Sequence, residues 1–229
     1  RNFESKLRRQ IMQQLQIDIV SDVSCPWCIV GYSALKIALE RIKDDVSANI
    51  TWHPFELNPQ MPSEGQEINE HLGEKYGIDQ AQIDQNREMI KQRGADVGYD
   101  FGVRGGGRIY NTFNAHRLLH WAKNFNKQTE LKLRLFDLYF QQAGDPSDHK
   151  QLLKCVEDVG LPASEAQNIL NSTQFEEDVR KEQQYYQSMG ISSVPAVIVN
   201  QKNLISGGQP ADVFEQALVQ ISQTQVQQS

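Results

Sequence analysis

Cys25 and Cys28 stand three residues apart with Pro26 and Trp27 between them, directly after the β-branched run Ile17-Asp18-Ile19-Val20-Ser21. A cysteine where a helix begins faces unpaired backbone N–H groups and the positive end of the helix dipole, and both favour thiolate over thiol. A second cysteine one turn later lies on the same face, with Cα atoms roughly 5 Å apart, inside the range a disulfide can close. Pro26 suits a first helical turn, where no N–H donor is needed. The spacing therefore predicts an exposed Cys25 with a lowered pKa that attacks, and a Cys28 that resolves. A structural zinc site would need four ligands. The remaining cysteine, Cys155, lies on the apolar stripe of Leu152, Val156 and Val159 and reads as a small buried hydrophobe. His116 and His120 lack the glutamate of H-E-x-x-H, so no metal site is assigned.

The elements around this pair define the fold. After the first strand, Val30, Ala34, Leu35, Ala38, Leu39 and Ile42 mark a helix to about residue 43, and Ile50-Thr51-Trp52 a second strand. From about Pro62 to Asn171 the pattern is helical throughout, with starts at Asn111-Thr112 and Ser147-Asp148. β character returns in Ala196-Val197-Ile198-Val199 and Leu204-Ile205-Ser206, after a helix over about 175–188, and Pro210 opens a last amphipathic helix. The order βαβ, helices, αββα is the thioredoxin arrangement: an α/β fold over 16–61 and 175–222, with a large inserted α-helical subdomain over 62–174. Val194-Pro195 precedes the third strand, and a proline there leaves neighbouring backbone groups free to pair with an added substrate strand.

The 229 residues carry 23 Lys+Arg against 29 Asp+Glu, a net charge of −6, which argues against bulk attraction to nucleic acid or an anionic membrane. No apolar run reaches the roughly 20 residues that cross a bilayer. Three cysteines are too few for a secreted disulfide scaffold. Residues 1–11 lack the apolar core of a secretory signal and are expected to be a vector remnant ahead of Met12, with 223–229 a flexible tail. A cytoplasmic location is expected. Gly105-Gly106-Gly107, between Arg104 and Arg108, reads as a loop and not a phosphate cradle, since no strand leads into it. His53 reads as a polar strand-end residue.

The chain resembles the DsbA-type thioredoxin-fold oxidoreductases, and among them the FrnE-like branch. Ser24-Cys25-Pro26-Trp27-Cys28 with Gly31 is similar to that branch's C-P-W-C-x-x-G segment. Pro54-Phe55-Glu56-Leu57-Asn58-Pro59 is similar to its P-F-x-L-x-P segment. Asn111-Thr112 and Ala115-His116-Arg117-Leu118 are similar to its N-T/S-x-x-A-H-R-L helix, and Gly190-Ile191-Ser192-Ser193-Val194-Pro195 to its G-[IV]-x-G-V-P turn. The resemblance spans residues 16–221. It implies thiol–disulfide exchange with protein or peptide cysteines, a cis Pro195, and no cofactor beyond the redox-active Cys25–Cys28 pair, with glutathione as an optional co-substrate. Trp27, Val194 and Pro195 are the expected substrate contacts.

Three departures shape the expectation. Pro-Trp replaces DsbA's Pro-His between the cysteines, which removes a histidine donor and predicts a less oxidising poise. The buried acid six residues before the first cysteine is absent, that position being Ile19. Asp22 and Asp18 are the nearest substitutes, as proton carriers for Cys28 or as caps of the helix entrance. Ser193 stands where the branch often has glycine. Two other functions fit the scaffold: a glutathione-dependent transferase or isomerase of the kappa-class or chromene-carboxylate type, which generally places serine at position 25, and a binding or chaperone module around Trp27 and Pro195.

Overall fold

The computed structural model describes residues 12–102 and 107–228. In chain order the elements are β1 (Gln13–Ser21), α1 (Pro26–Arg41), β2 (Val46–Pro54), β3 (Gln66–Glu67), α2 (Ile68–Tyr76), α3 (Gln80–Asp96) and β4 (Arg108–Ile109). They continue with α4 (Phe113–Ala122), α5 (Gln128–Phe136), α6 (His149–Asp158), α7 (Ala163–Leu170), α8 (Glu176–Ser188), β5 (Ala196–Val199), β6 (Asn203–Ser206) and α9 (Ala211–Gln228). The main sheet has the order β2-β1-β5-β6. β1 runs parallel to β2 and antiparallel to β5, which pairs antiparallel with β6. This is the thioredoxin-like α/β fold.

β1 is the central strand, and the alternation of its side chains divides the core. Leu15, Ile17 and Ile19 join Val197 and Val199 of β5, Val30, Ala34 and Leu35 of α1, and Phe214 and Leu218 of α9 in one cluster. Val20 joins Ala196, Ile198 and Tyr186 in another. Ladder pairing extends both first strands past their apolar centres: β1 begins at Gln13, opposite Val46, where the apolar run alone marks 17–21. The helices between β2 and β5 bury Leu118, Leu131, Leu135, Leu152, Val156 and fully buried Cys155 together. Burial pushes the Cys155 thiol up to about 11, as suits a packing residue. Trp52, Phe136, Tyr139 and Phe140 belong to the sheet-side cluster, so this block closes directly against the sheet.

Two expectations need correction. The stretch after Pro62 is not helical throughout, because β3 and β4 form a two-residue antiparallel ladder, Gln66 opposite Ile109 and Glu67 opposite Arg108. So short a ladder leaves no periodicity to read. The expected start at Asn111-Thr112 holds: Asn111 Oδ1 accepts from the Phe113 N–H at 2.9 Å, while Thr112 makes no side-chain cap bond. α9 runs to Gln228, through residues expected to be a flexible tail, since a glutamine-rich end without glycine or proline has no helix stop. Residues 1–11, and Arg104, Gly105 and Gly106 of the glycine-rich segment, lie outside the described residues.

Candidate active site

Cys25 is the N-cap of α1 (φ −90°, ψ 111°) and Pro26 follows in the first turn. The Cys28 N–H donates to the Cys25 carbonyl at 3.1 Å and the Cys25 N–H to the Asp22 carbonyl at 3.3 Å, which sets the two cysteines within one turn at the start of α1, close enough for their thiols to influence each other. Cys25 Sγ lies 3.7 Å from the Val194 carbonyl oxygen, and the Val194–Pro195 peptide is cis. Two glycines let the 207–208 turn press on the helix. A Cβ on Gly208 would meet the Trp27 carbonyl oxygen at 3.0 Å, and one on Gly31 would meet both Gly208 Cα and Pro195 Cγ at 3.2 Å. Trp27 is half-buried there, with the Arg93 guanidinium 5.7 Å from its ring centroid.

This packing corrects the expected exposure. Cys25 is only 3% exposed and Cys28 not at all. Burial, and then the neighbouring Cys28 thiol, hold the Cys25 thiol well above its ordinary range, against a smaller opposing pull from the Cys28 backbone N–H. In this dithiol form, desolvation outweighs the help of the helix terminus that the position alone predicts.

Behind the thiols lies a buried charged group. Asp22 is 1% exposed. Its Oδ2 accepts from the Leu57 N–H at 2.8 Å, and its Oδ1 lies 3.2 Å from His116 Nε2. Burial would raise the Asp22 carboxyl, but His116 and the Leu57 N–H together bring it below its ordinary value. Lys132 of α5 is also buried, its Nζ 5.3 Å from the Trp52 ring centroid and 5.1 Å from that of Phe136. Desolvation lowers this ammonium to about 8, against the opposing fields of Cys28, Asp22 and Cys25. His116 and Lys132 both line a narrow recess of about 10 Å³ that also touches His53, His120 and Glu182.

The chain matches the DSBA-like thioredoxin domain over residues 16–219. It belongs to that family. A probable DsbA oxidoreductase from Streptomyces coelicolor superposes on this DSBA-like chain with a TM-score of 0.82 at 29% identity, covering 90% of this chain and 89% of that one. The uncharacterized protein YwbO of Bacillus subtilis is 28% identical over 205 residues, 89% of this chain and 96% of its own. The cytosolic disulfide reductase DsbM from Pseudomonas aeruginosa, in a structure with GSH, shares the fold at a TM-score of 0.61 and 14% identity, covering 90% of this chain and 98% of that one. No helix among the described residues is long and apolar enough to cross a membrane.

The structure of this DSBA-like domain brings Cys25, Cys28, Trp27, Val194 and Pro195 together, with Pro26 and Asp22 adjacent. Asp18 is not among them. It lies on the opposite sheet face, where its Oδ1 is 2.8 Å from His53 Nε2. His116 and Lys132 are the neighbours that sequence reasoning missed. The signal for Lys132 is its place inside the buried arc of Gln128, Leu131, Leu135 and Phe136. Arg117, beside His116, has a separate structural role. Its guanidinium donates to the carbonyls of Ile169, Ser172 and Gln174 and ties down the turn between α7 and α8.

His53 is held between Asp18 and Glu182, which also receives Lys123 Nζ at 2.7 Å and lies 3.2 Å from His120. Desolvation would lower the imidazole, but the two carboxylates raise it above 6.5. Glu182, despite its burial, is pulled far below 4.5 by His120, His53 and Lys123. The stability from His53 is therefore complete below pH 6.5 and is lost as pH rises through its higher folded value. That from Glu182 is complete above pH 4.5 and is lost only in strong acid. Urea midpoints should show His53→Gln losing less stability than wild type between pH 6 and 8, where the wild type gives up the His53 contribution. Parallel losses in the two proteins would contradict this assignment.

Proposed function

We propose that this protein catalyses thiol–disulfide exchange with cysteines of protein or peptide substrates, with Cys25 as nucleophile and Cys28 as resolving thiol, in the manner of the FrnE-like branch. The observation that carries this reading is the pair of free thiols within the first turn of α1, with Cys25 Sγ 3.7 Å from the Val194 carbonyl oxygen. Cys25, as thiolate, attacks one sulfur of the substrate disulfide. That S–S bond breaks, the departing sulfur takes up a proton, and a mixed disulfide forms at Cys25. Cys28 then loses its proton and attacks the Cys25 sulfur. The second substrate sulfur leaves as a thiol, and two electrons have passed from the enzyme dithiol to the substrate. The reverse sequence oxidises a substrate dithiol.

Asp22 and His116 form the proton station for Cys28 in this scheme, and Lys132 supplies the positive charge that offsets a buried thiolate. Two motifs of the FrnE-like resemblance converge on one carboxylate: Leu57 of P-F-x-L-x-P through its N–H, and His116 of A-H-R-L through its ring. The Val194 backbone beside Cys25 offers pairing groups to an extended substrate, with Trp27 as an adjoining wall. A buried Cys25 disfavours the thiolate, hence the dithiol relative to the disulfide, and points to the reducing or isomerising side of exchange, as fits a dithiol maintained by a reducing compartment. Glutathione fits as a small-thiol co-substrate. Cysteine at position 25, where the transferase-type relatives generally carry serine, favours exchange over conjugation.

Wild-type protein should accelerate the reduction of insulin by dithiothreitol. Titrated against glutathione, the Cys25–Cys28 pair should equilibrate below about −120 mV, the value for DsbA. Absence of acceleration would overturn the reading, and a potential as oxidising as DsbA's would reverse the assigned direction.

A further inference from the structure

We propose that the cleft opening on Pro26 is a substrate subsite that selects a peptide carrying a large apolar side chain and an acidic residue next to its reacting cysteine. This rests on the exchange reading above and deepens it. The cleft is open to solvent and offers a cavity of about 100 Å³. Its walls are apolar: Ile68 at the start of α2, Ile90 of α3, and the Phe101 and Phe140 rings, set edge-to-face with centroids 5.2 Å apart. Phe140 comes from the wide π-type turn Asp137–Gln141 that follows α5. An apolar recess touching the residue after the nucleophile is where a side chain adjacent to the attacked sulfur would be buried.

Charge supplies the second requirement. Arg87 and Lys91, one turn apart on α3, line the same cleft as Ile90. Arg93, on the same helix, donates to the Gly208 carbonyl at 2.9 Å beside Trp27. The acids of α3 (Asp84, Glu88 and Asp96) are exposed and line no part of the cleft. Asp84 Oδ1 lies 3.5 Å from Arg87, which also donates to Asn69 Oδ1, so that guanidinium is held in place at the rim. Lys91 is exposed. A chain of net charge −6 thus turns the three cations of this helix toward its reactive edge, an arrangement complementary to an anionic substrate. Glutathione has the carboxylates but no apolar side chain to fill the recess. An acidic peptide with an aromatic or large aliphatic neighbour meets both demands.

The test is a single-turnover reaction. Pre-reduced protein is the reductant, each symmetric peptide disulfide is the oxidant, and the products are the Cys25–Cys28 disulfide and two peptide thiols. The peptides place Phe-Asp, Phe-Lys, Ala-Asp or Ala-Ser beside cysteine, and glutathione disulfide is run in parallel. The Phe-Asp peptide should react about tenfold faster than Phe-Lys at low salt, a gap that narrows in 1 M salt. It should also react about tenfold faster than Ala-Asp, through burial of the ring. Lys91→Glu, an exposed change that leaves the helix intact, should abolish or invert the Asp-over-Lys preference, and Arg87→Gln should weaken it. Equal rates for all four peptides would overturn the subsite while leaving exchange itself standing. So would a preference that survives Lys91→Glu, or glutathione disulfide outpacing every peptide. Failure of even the Ala-Ser peptide to react would instead sink the exchange reading.

Discussion

A Cys28→Ser protein incubated with a disulfide substrate should accumulate a covalent adduct at Cys25, visible by mass spectrometry as one substrate thiol added and released by dithiothreitol. With Cys28 in the same first helical turn as Cys25, the second displacement is intramolecular and normally outruns escape of the intermediate. Removing the resolving sulfur strands the mixed disulfide. Cys25→Ser should form no adduct and reduce insulin at the uncatalysed rate, a loss on the order of 10³-fold or more. The two variants separate exchange from a binding or chaperone role. A chaperone would keep its protection of an aggregating client in Cys25→Ser, while an exchange enzyme loses its activity. An adduct at Cys28 in the Cys25→Ser protein would reverse the assigned roles. That reversal is disfavoured, because Cys28 lies deeper, with no exposure at all.

Lys132→Met and Asp22→Asn should move the ionisation of Cys25 in opposite directions. The Lys132 ammonium favours a thiolate at Cys25, and the Asp22 carboxylate disfavours one. Methionine preserves the length and packing against Trp52 and Phe136 and removes the charge. Cys25 in Lys132→Met should react with iodoacetamide several-fold more slowly at pH 7, where Lys132 of the wild type still carries its charge. Asp22→Asn should titrate lower and react faster, although an unbalanced buried Lys132 will reduce its stability. In wild type, Lys132 loses its proton near pH 8, so its support for a Cys25 thiolate acts below that pH and fades above it. If both variants shift the thiol in the same direction, or neither does, the buried charges act only on packing.

Much of the fold was legible because its signals are local. Alternating apolar residues, the Pro26 start, the Pro210 start and the Asp148 cap, whose Oδ1 accepts from the Gln151 N–H at 2.8 Å, each lie within one element. The same holds for Cys25 and Cys28, which share one helical turn, and for Cys155, whose burial follows from the stripe it sits on. The β3–β4 ladder was not legible, since two residues per strand are fewer than one period of either pattern.

The place of the reactive pair and its strand–helix scaffold follow from residue order alone, because helix starts and strand alternation are encoded between neighbours. The covering of Cys25, and the meeting of Asp22, His116 and Lys132 behind it, arise from long-range packing. Asp22 and His116 are 94 positions apart. The acidity of the thiol depends on how much water is excluded and which charges are brought close, and both are set only when the helical block closes on the sheet.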